Sequence, residues 1–174
     1  MPTAIIWNHR LETPIGPMGA AFDGDGYLVR LDFLTEERTT SWSEPASKRD
    51  AQAFGFLKTQ MDAYYRGSLR TFNVPHKAGG TDFQKRVWAE LEFIPFGKTI
   101  SYLELAKRLG DPKCIRAAGR ANGANPISVI IPCHRVIGSD GSLVGYGGGL
   151  PRKQALLELE GALPKHEVGP YGWA

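Results

Sequence analysis

Cys133 is the side chain best placed for chemistry. It follows an apolar run, Ile127–Ile131, and Pro132, so the backbone that delivers it is expected to be rigid. His134 and Arg135 come directly after it. Cationic neighbours favour thiolate over thiol, and the thiolate is the nucleophilic form. Adjacent residues point in different directions, so His134 reaches Cys133 only through a water. The plainer reading of one cysteine beside one histidine is a buried structural thiol. Cys114 has no comparable setting and is expected to be a bystander. Two cysteines are too few for a disulfide scaffold, and they form no CxxC pair of the zinc-finger kind.

The elements that must position Cys133 begin at Thr81. Thr81 with Gln84 forms a capping box, and Phe83, Val87 and Leu91 make an apolar stripe that ends at Pro95-Phe96-Gly97. Ser101 with Glu104 reads as a second capping box. Tyr102, Leu105, Ala106 and Leu109 follow helical spacing, with Gly110 as the stop. Asp111-Pro112 then starts a new helix at once, through Arg120 and Ala121. Two helices joined by a short glycine-containing turn have a helix-turn-helix layout, or form a plain helical hairpin in a core. Asn125-Pro126 is a turn before the apolar run. Gly138–Gly149 is a glycine-dense loop, and Pro151 opens a last helix, Arg152–Glu160, stopped by Gly161.

The first half reads differently. Ala4–Leu11, Met18–Phe22 and Tyr27–Phe33 are strand-like, with a hairpin-turn signal at Asp23-Gly24-Asp25-Gly26. Thr35–Ser47 is polar and irregular. Ala51–Tyr65 carries Phe54, Leu57, Met61 and Tyr65 at helical spacing. Thr71–Val74 reads as a short strand, and His76–Gly80 as a linker. The expected fold is α+β: an N-terminal α/β domain over 1–79 and a mostly helical C-terminal domain over 80–174. The tail from Ala162 to Ala174 shows little pattern.

The 174 residues have ordinary globular composition, 42% hydrophobic and 22% charged. No stretch approaches the ~20 apolar residues of a membrane span. No signal-peptide core is legible at the N-terminus, so a cytoplasmic protein is expected. Charge is uneven. Residues 1–79 hold nine basic and nine acidic residues, whereas residues 80–174 hold twelve and nine, which places the whole excess of +3 there. Lys107–Arg135 holds six basic residues and one acid, Asp111. That suits an anionic partner such as nucleic acid, and equally a solvated helix face.

Ile131-Pro132-Cys133-His134-Arg135-Val136 resembles the active-site motif of the O6-alkylguanine-DNA alkyltransferases (methylated-DNA–protein-cysteine methyltransferases). Further motifs resemble that family in the same order. They are Thr81–Gln84 with Val87-Trp88, Ile94–Gly97, Ser101-Tyr102 with Leu105-Ala106, Arg116-Ala117, Asn125-Pro126, Gly145-Tyr146, and Leu156-Leu157 with Glu160-Gly161. The resemblance covers about residues 80–161. The N-terminal part matches only in outline, as a ribonuclease-H-like α/β domain of the expected size.

The resemblance implies a protein that flips O6-alkylguanine, or O4-alkylthymine, out of double-stranded DNA and moves the alkyl group onto its own cysteine, once per molecule. Cys133 would be the acceptor, His134 the base acting through water, and Glu160 the group orienting the imidazole. Tyr102 would rotate the nucleotide and donate to the departing guanine. Arg116 would fill the gap in the stack, on a helix whose Ala117 and Arg120 face the minor groove. Asn125, Val144, Gly145, Tyr146, Gly147 and Gly148 would form the turn and the pocket wall. Gly147 stands where some members have serine, which leaves a backbone N–H as the donor there. No metal or other cofactor is implied, and a monomer is expected. Two other readings are a non-catalytic alkyltransferase-like DNA-binding protein, which would lack the cysteine, and a cysteine hydrolase, which would need an oxyanion hole.

Overall fold

The computed structural model describes residues 5–35, 40–44 and 47–165. The chain divides into two compact units, Met1–Ala78 and Gly79–Ala174. Helices and small sheets are mixed, which makes the fold α+β. No helix among the described residues is long and apolar enough to cross a membrane.

In the first unit, β2 (His9–Leu11), β3 (Met18–Phe22) and β4 (Leu28–Phe33) form an antiparallel meander. The turn between β3 and β4 is held by Asp23, whose Oδ1 accepts from Asp25 N and Tyr27 N, with Gly26 at φ +87°. The first predicted strand is split. β1 (Ile5–Trp7) pairs in parallel with β5 (Thr40–Trp42), and the chain changes partner at Asn8. Asn8 makes that change possible by bonding outward with its own amide, to Ser43 Oγ and from Phe22 N. Ala4, the first residue of the predicted strand, lies outside the described residues. β5 corrects the reading of Thr35–Ser47 as irregular throughout. Trp7 is 1% exposed, and its indole fits because it lies over Gly19, where a Cβ would collide with the ring.

α1 (Lys48–Tyr65) starts three residues earlier than its apolar spacing suggests, because Ser47 caps it and accepts from Asp50 N. No strand forms at Thr71–Val74. The pairing falls one step later, where Leu28 N donates to Pro75 O and Lys77 N to Leu28 O. The predicted linker therefore begins inside this unit, with Lys77 Nζ 3.9 Å over the Tyr27 ring.

The second unit holds α2 (Asp82–Leu91), α3 (Tyr102–Arg108), α4 (Ile115–Gly123) and α5 (Leu150–Leu159). The Thr81/Gln84 capping box is complete. The Ser101 box is half made: Ser101 Oγ accepts from Glu104 N, but the Glu104 carboxylate accepts from Arg108 Nε instead. Asp111-Pro112 opens a single 3₁₀ turn, Pro112–Cys114, before α4 begins. Two short strands escaped the pattern reading. β6 (Ile100–Ser101) and β7 (Val136–Ile137) pair in parallel, Ile100 with Val136 and Ser101 with Ile137. That pairing sets the start of α3 beside the segment carrying Cys133. Most of the predicted tail, 166–174, lies outside the described residues.

Candidate active site

Cys133 opens a 3₁₀ turn, Cys133–Arg135, and is 6% exposed. The apolar run before it is core: Ile127, Val129, Ile130 and Ile131 are all buried. Asn125 lies beneath this run rather than at a pocket rim. Its Oδ1 accepts from Ile127 N at 3.0 Å, and its Nδ2 donates to Ile131 O at 2.7 Å. The amide thus ties both ends of the run together.

His134 is fully buried, and its Nε2 lies 2.5 Å from Glu160 Oε1. Burial alone would raise the Glu160 carboxyl. The His134 charge and hydrogen bond, with those of Arg135, outweigh it and hold the group at about 2. Glu160 is therefore a carboxylate that can only accept, and in the neutral form of His134 the one ring proton sits on Nε2. Nδ1 is left with its lone pair, buried and without a hydrogen-bond partner among the described residues. That nitrogen is the one able to take a proton.

Arg135 directs its hydrogen bonds to Glu160 and Ile94. Its Nε donates to Glu160 Oε2 at 2.9 Å, one terminal nitrogen to Glu160 Oε1 at 3.0 Å, and the other to Ile94 O at 2.6 Å. A cation that does feel the charge at Cys133 is Lys153, a residue the sequence reading passed over. Lys153 is 0% exposed, and its Nζ donates to Val136 O at 2.6 Å, Val144 O at 3.1 Å and Gly145 O at 3.3 Å. Burial lowers its pKa to about 8, while negative charge at Cys133 works the other way and favours the ammonium. By reciprocity, the ammonium favours the thiolate.

Tyr102 completes the group. Its ring lies against α4, where a Cβ on Gly119 would come within 3.7 Å of it, and its hydroxyl donates to Val144 O at 2.9 Å. Burial and the charge of Cys133 raise its pKa, and a hydrogen bond with Asn122 opposes them. Asn122 also donates to Cys133 O at 3.3 Å, so it links tyrosine and cysteine. Asn122 was likewise missed by the sequence reading.

The predicted pocket residues divide. Val144 and Gly145 meet Tyr102 and Lys153 through their carbonyls, and the Val144 side chain is exposed. Gly148 O accepts from Arg152, and Tyr146 O from Gly149 N. Gly147 is exposed. Arg116 and Arg120 are exposed one turn apart on α4, with Ala117 half-buried between them. The opposite face is core: Ala118, Ala121 and Asn122 are buried, and Trp88 Nε1 donates to Ala121 O at 2.8 Å. Cys114 sits before α4, its sulfur 4.0 Å from Ala106 O.

A helix-turn-helix with an arginine-bearing outer face, backed by a buried cysteine and a His–Glu pair, is the architecture of a DNA-binding domain joined to a buried thiol site. Comparison with known proteins agrees. Residues 82–162 match the family described as the DNA-binding domain of 6-O-methylguanine DNA methyltransferase. The methylated-DNA–protein-cysteine methyltransferase of Mycobacterium tuberculosis is 47% identical over 158 residues, covering 90% of this chain and 93% of the relative. That of Methanosarcina acetivorans is 44% identical, covering 87% and 96%. The crystal structure of Mycobacterium tuberculosis OGT in complex with DNA superimposes with a TM-score of 0.77 at 43% identity, covering 91% of this chain and 94% of that one. The chain belongs to the methylated-DNA–protein-cysteine methyltransferase family.

Proposed function

We propose that this protein repairs alkylated DNA by moving the alkyl group from O6 of guanine to Sγ of Cys133, one transfer per molecule. The carrying observation is the buried constellation itself: Cys133 held by Asn122, Tyr102 and Lys153 meeting at the Val144 carbonyl, and His134 held by Glu160. The alkyl carbon is reached only if the base leaves the stack. Arg116, one turn from Arg120 on the exposed face of α4, is the side chain long enough to occupy the gap. The helix enters the minor groove, where readout is degenerate, as repair in any sequence requires. The protein works as a monomer in the cytoplasm.

The Cys133 proton passes through a water to His134 Nδ1, and Glu160 stabilises the imidazolium. A new S–C bond forms as the C–O6 bond breaks, and its electron pair stays on the guanine. Tyr102, whose raised pKa keeps it protonated until negative charge develops nearby, donates to the departing base. The Lys153 ammonium stabilises the thiolate before attack and holds the Val144–Gly145 lip through its carbonyl bonds. The thioether product has no hydrolytic route here.

Intact-mass analysis tests this. Mixing the protein with an O6-methylguanine duplex adds one methyl per chain, on Cys133. Cys133→Ser abolishes the addition while DNA binding persists. Transfer beyond one equivalent, or a methyl on another residue, overturns the reading.

A further inference from the structure

Val129 is the one non-glycine residue with positive φ among the described residues, at +73°. It is β-branched and 1% exposed, four positions before the nucleophile. A branched side chain in this region is a genuine conformational outlier. The hydrogen bonds show what it does there. Ile130 N donates to Ser128 O at 2.9 Å, closing a three-residue turn with Val129 at its centre. This is the positive-φ γ-turn, rare and strained. A second three-residue turn follows, closed by Cys133 N to Ile131 O at 2.8 Å around Pro132 at φ −82°, ψ 65°. That one is the relaxed mirror form. The chain therefore makes two tight reversals in six residues, Ser128–Cys133, and delivers Cys133 at the end of the second.

Such a turn persists only where its surroundings over-determine it. Here they do. Asn125 holds Ile127 N and Ile131 O, Ile131 N donates to Ile127 O at 3.0 Å, and the Val129 side chain is sealed in the core. Glycine would take the same φ without steric cost, but would also open many other conformations. With valine, the few backbone states allowed are selected by packing, and everything attached downstream inherits that definition.

We infer that Val129 is a positioning residue for alkyl transfer: its strained γ-turn fixes where Cys133 meets the alkyl carbon. The inference rests on Cys133 being the acceptor. In-line attack demands tight placement, and a displacement of ~1 Å can cost about a hundredfold in rate. Restricting the backbone, rather than filling space, is the work assigned to this side chain.

Two variants separate these roles. Val129→Ala keeps a Cβ and so the backbone restriction, but leaves a cavity and the strain. Val129→Gly leaves a larger cavity but releases both strain and restriction. The expected result is an inversion. Val129→Gly melts no lower than Val129→Ala, yet its single-turnover methyl transfer at saturating DNA is slower by about 10–100-fold, whereas Val129→Ala stays within about threefold of wild type. The slowing is equal on duplex DNA and on a free O6-alkylguanine base, because extrusion is untouched. Alkylation of Cys133 by iodoacetamide, a free reagent that orients itself to the sulfur rather than being held by the protein, stays unchanged in Val129→Gly. Transfer rates that follow melting temperature across both variants, or Val129→Gly as fast as Val129→Ala, overturn the inference. Wild-type protein that takes no methyl on Cys133 instead overturns the parent reading.

Discussion

Glu160→Gln removes one negative charge from the interior while nearly preserving shape. Glu160 is 4% exposed and accepts from His134 and three times from Arg135. Burial pushes its carboxyl up, the two cations pull it down further, and the net change is from 4.5 to about 2. At ~1.4 kcal/mol per tenfold in proton affinity, that is on the order of 3 kcal/mol of stability carried by the anion. Removing one partner of a buried ion pair costs a similar ~3–5 kcal/mol, because the other charge stays buried. The sign follows from which state binds the proton more tightly. The unfolded carboxyl, near 4.5, does so; the stabilisation is therefore complete at pH above about 5 and is lost as pH falls towards about 2. Glu160→Gln has nothing to titrate in that window. Urea unfolding followed by tryptophan fluorescence should show the variant about 3 kcal/mol less stable at pH 7, with the gap closing as pH drops to 3 and below. Other carboxylates titrate equally in both proteins and cancel in the difference. No gap at pH 7, or a gap independent of pH, would refute the assignment of Glu160 as the buried counter-anion.

Lys153→Met should slow methyl transfer. It should also remove a fall in wild-type rate that sets in above about pH 8, where Lys153 loses its proton; profiles of identical shape would show that the ammonium does not serve the thiolate. Arg116→Ala should slow repair of duplex DNA far more than reaction with a free base analogue; equal slowing would point to a fold defect. DNA binding should weaken steeply with salt and show little sequence preference, as phosphate contacts dictate. Titrations at two ionic strengths check this, and affinity unmoved by salt would remove the exposed basic residues between Lys107 and Arg120 from the interface.

What was legible in the sequence was local. The Thr81/Gln84 capping box, the glycine stops and the hairpin turn at Asp23 are each settled within four or five residues, and the structure forms them all. What was hidden is held by partners far along the chain. β5 exists through β1, some thirty-five positions away, and the two-residue strands β6 and β7 have no periodicity to read. Lys153 did leave a trace. It lies three and four residues before Leu156 and Leu157, on the same helix stripe, where a buried lysine needs acceptors. Those acceptors, Val136 O, Val144 O and Gly145 O, come from loops whose path no local pattern gives.

The Cys133-His134-Arg135 triplet shows the limit most directly. Read along the chain, both cations flank the sulfur and appear to activate it. In the 3₁₀ turn, successive side chains diverge. His134 and Arg135 converge on Glu160, where the arginine satisfies a buried carboxylate and locks the imidazole against it. The charge at Cys133 is felt instead by Tyr102 and Lys153, delivered from α3 and α5. On the mechanism proposed above, the sequence neighbours supply a proton acceptor and its anchor, and a residue twenty positions away supplies the positive charge. Activation of this thiol is then a property of the assembled second unit. It should fail in any peptide that contains the motif without α3 and α5.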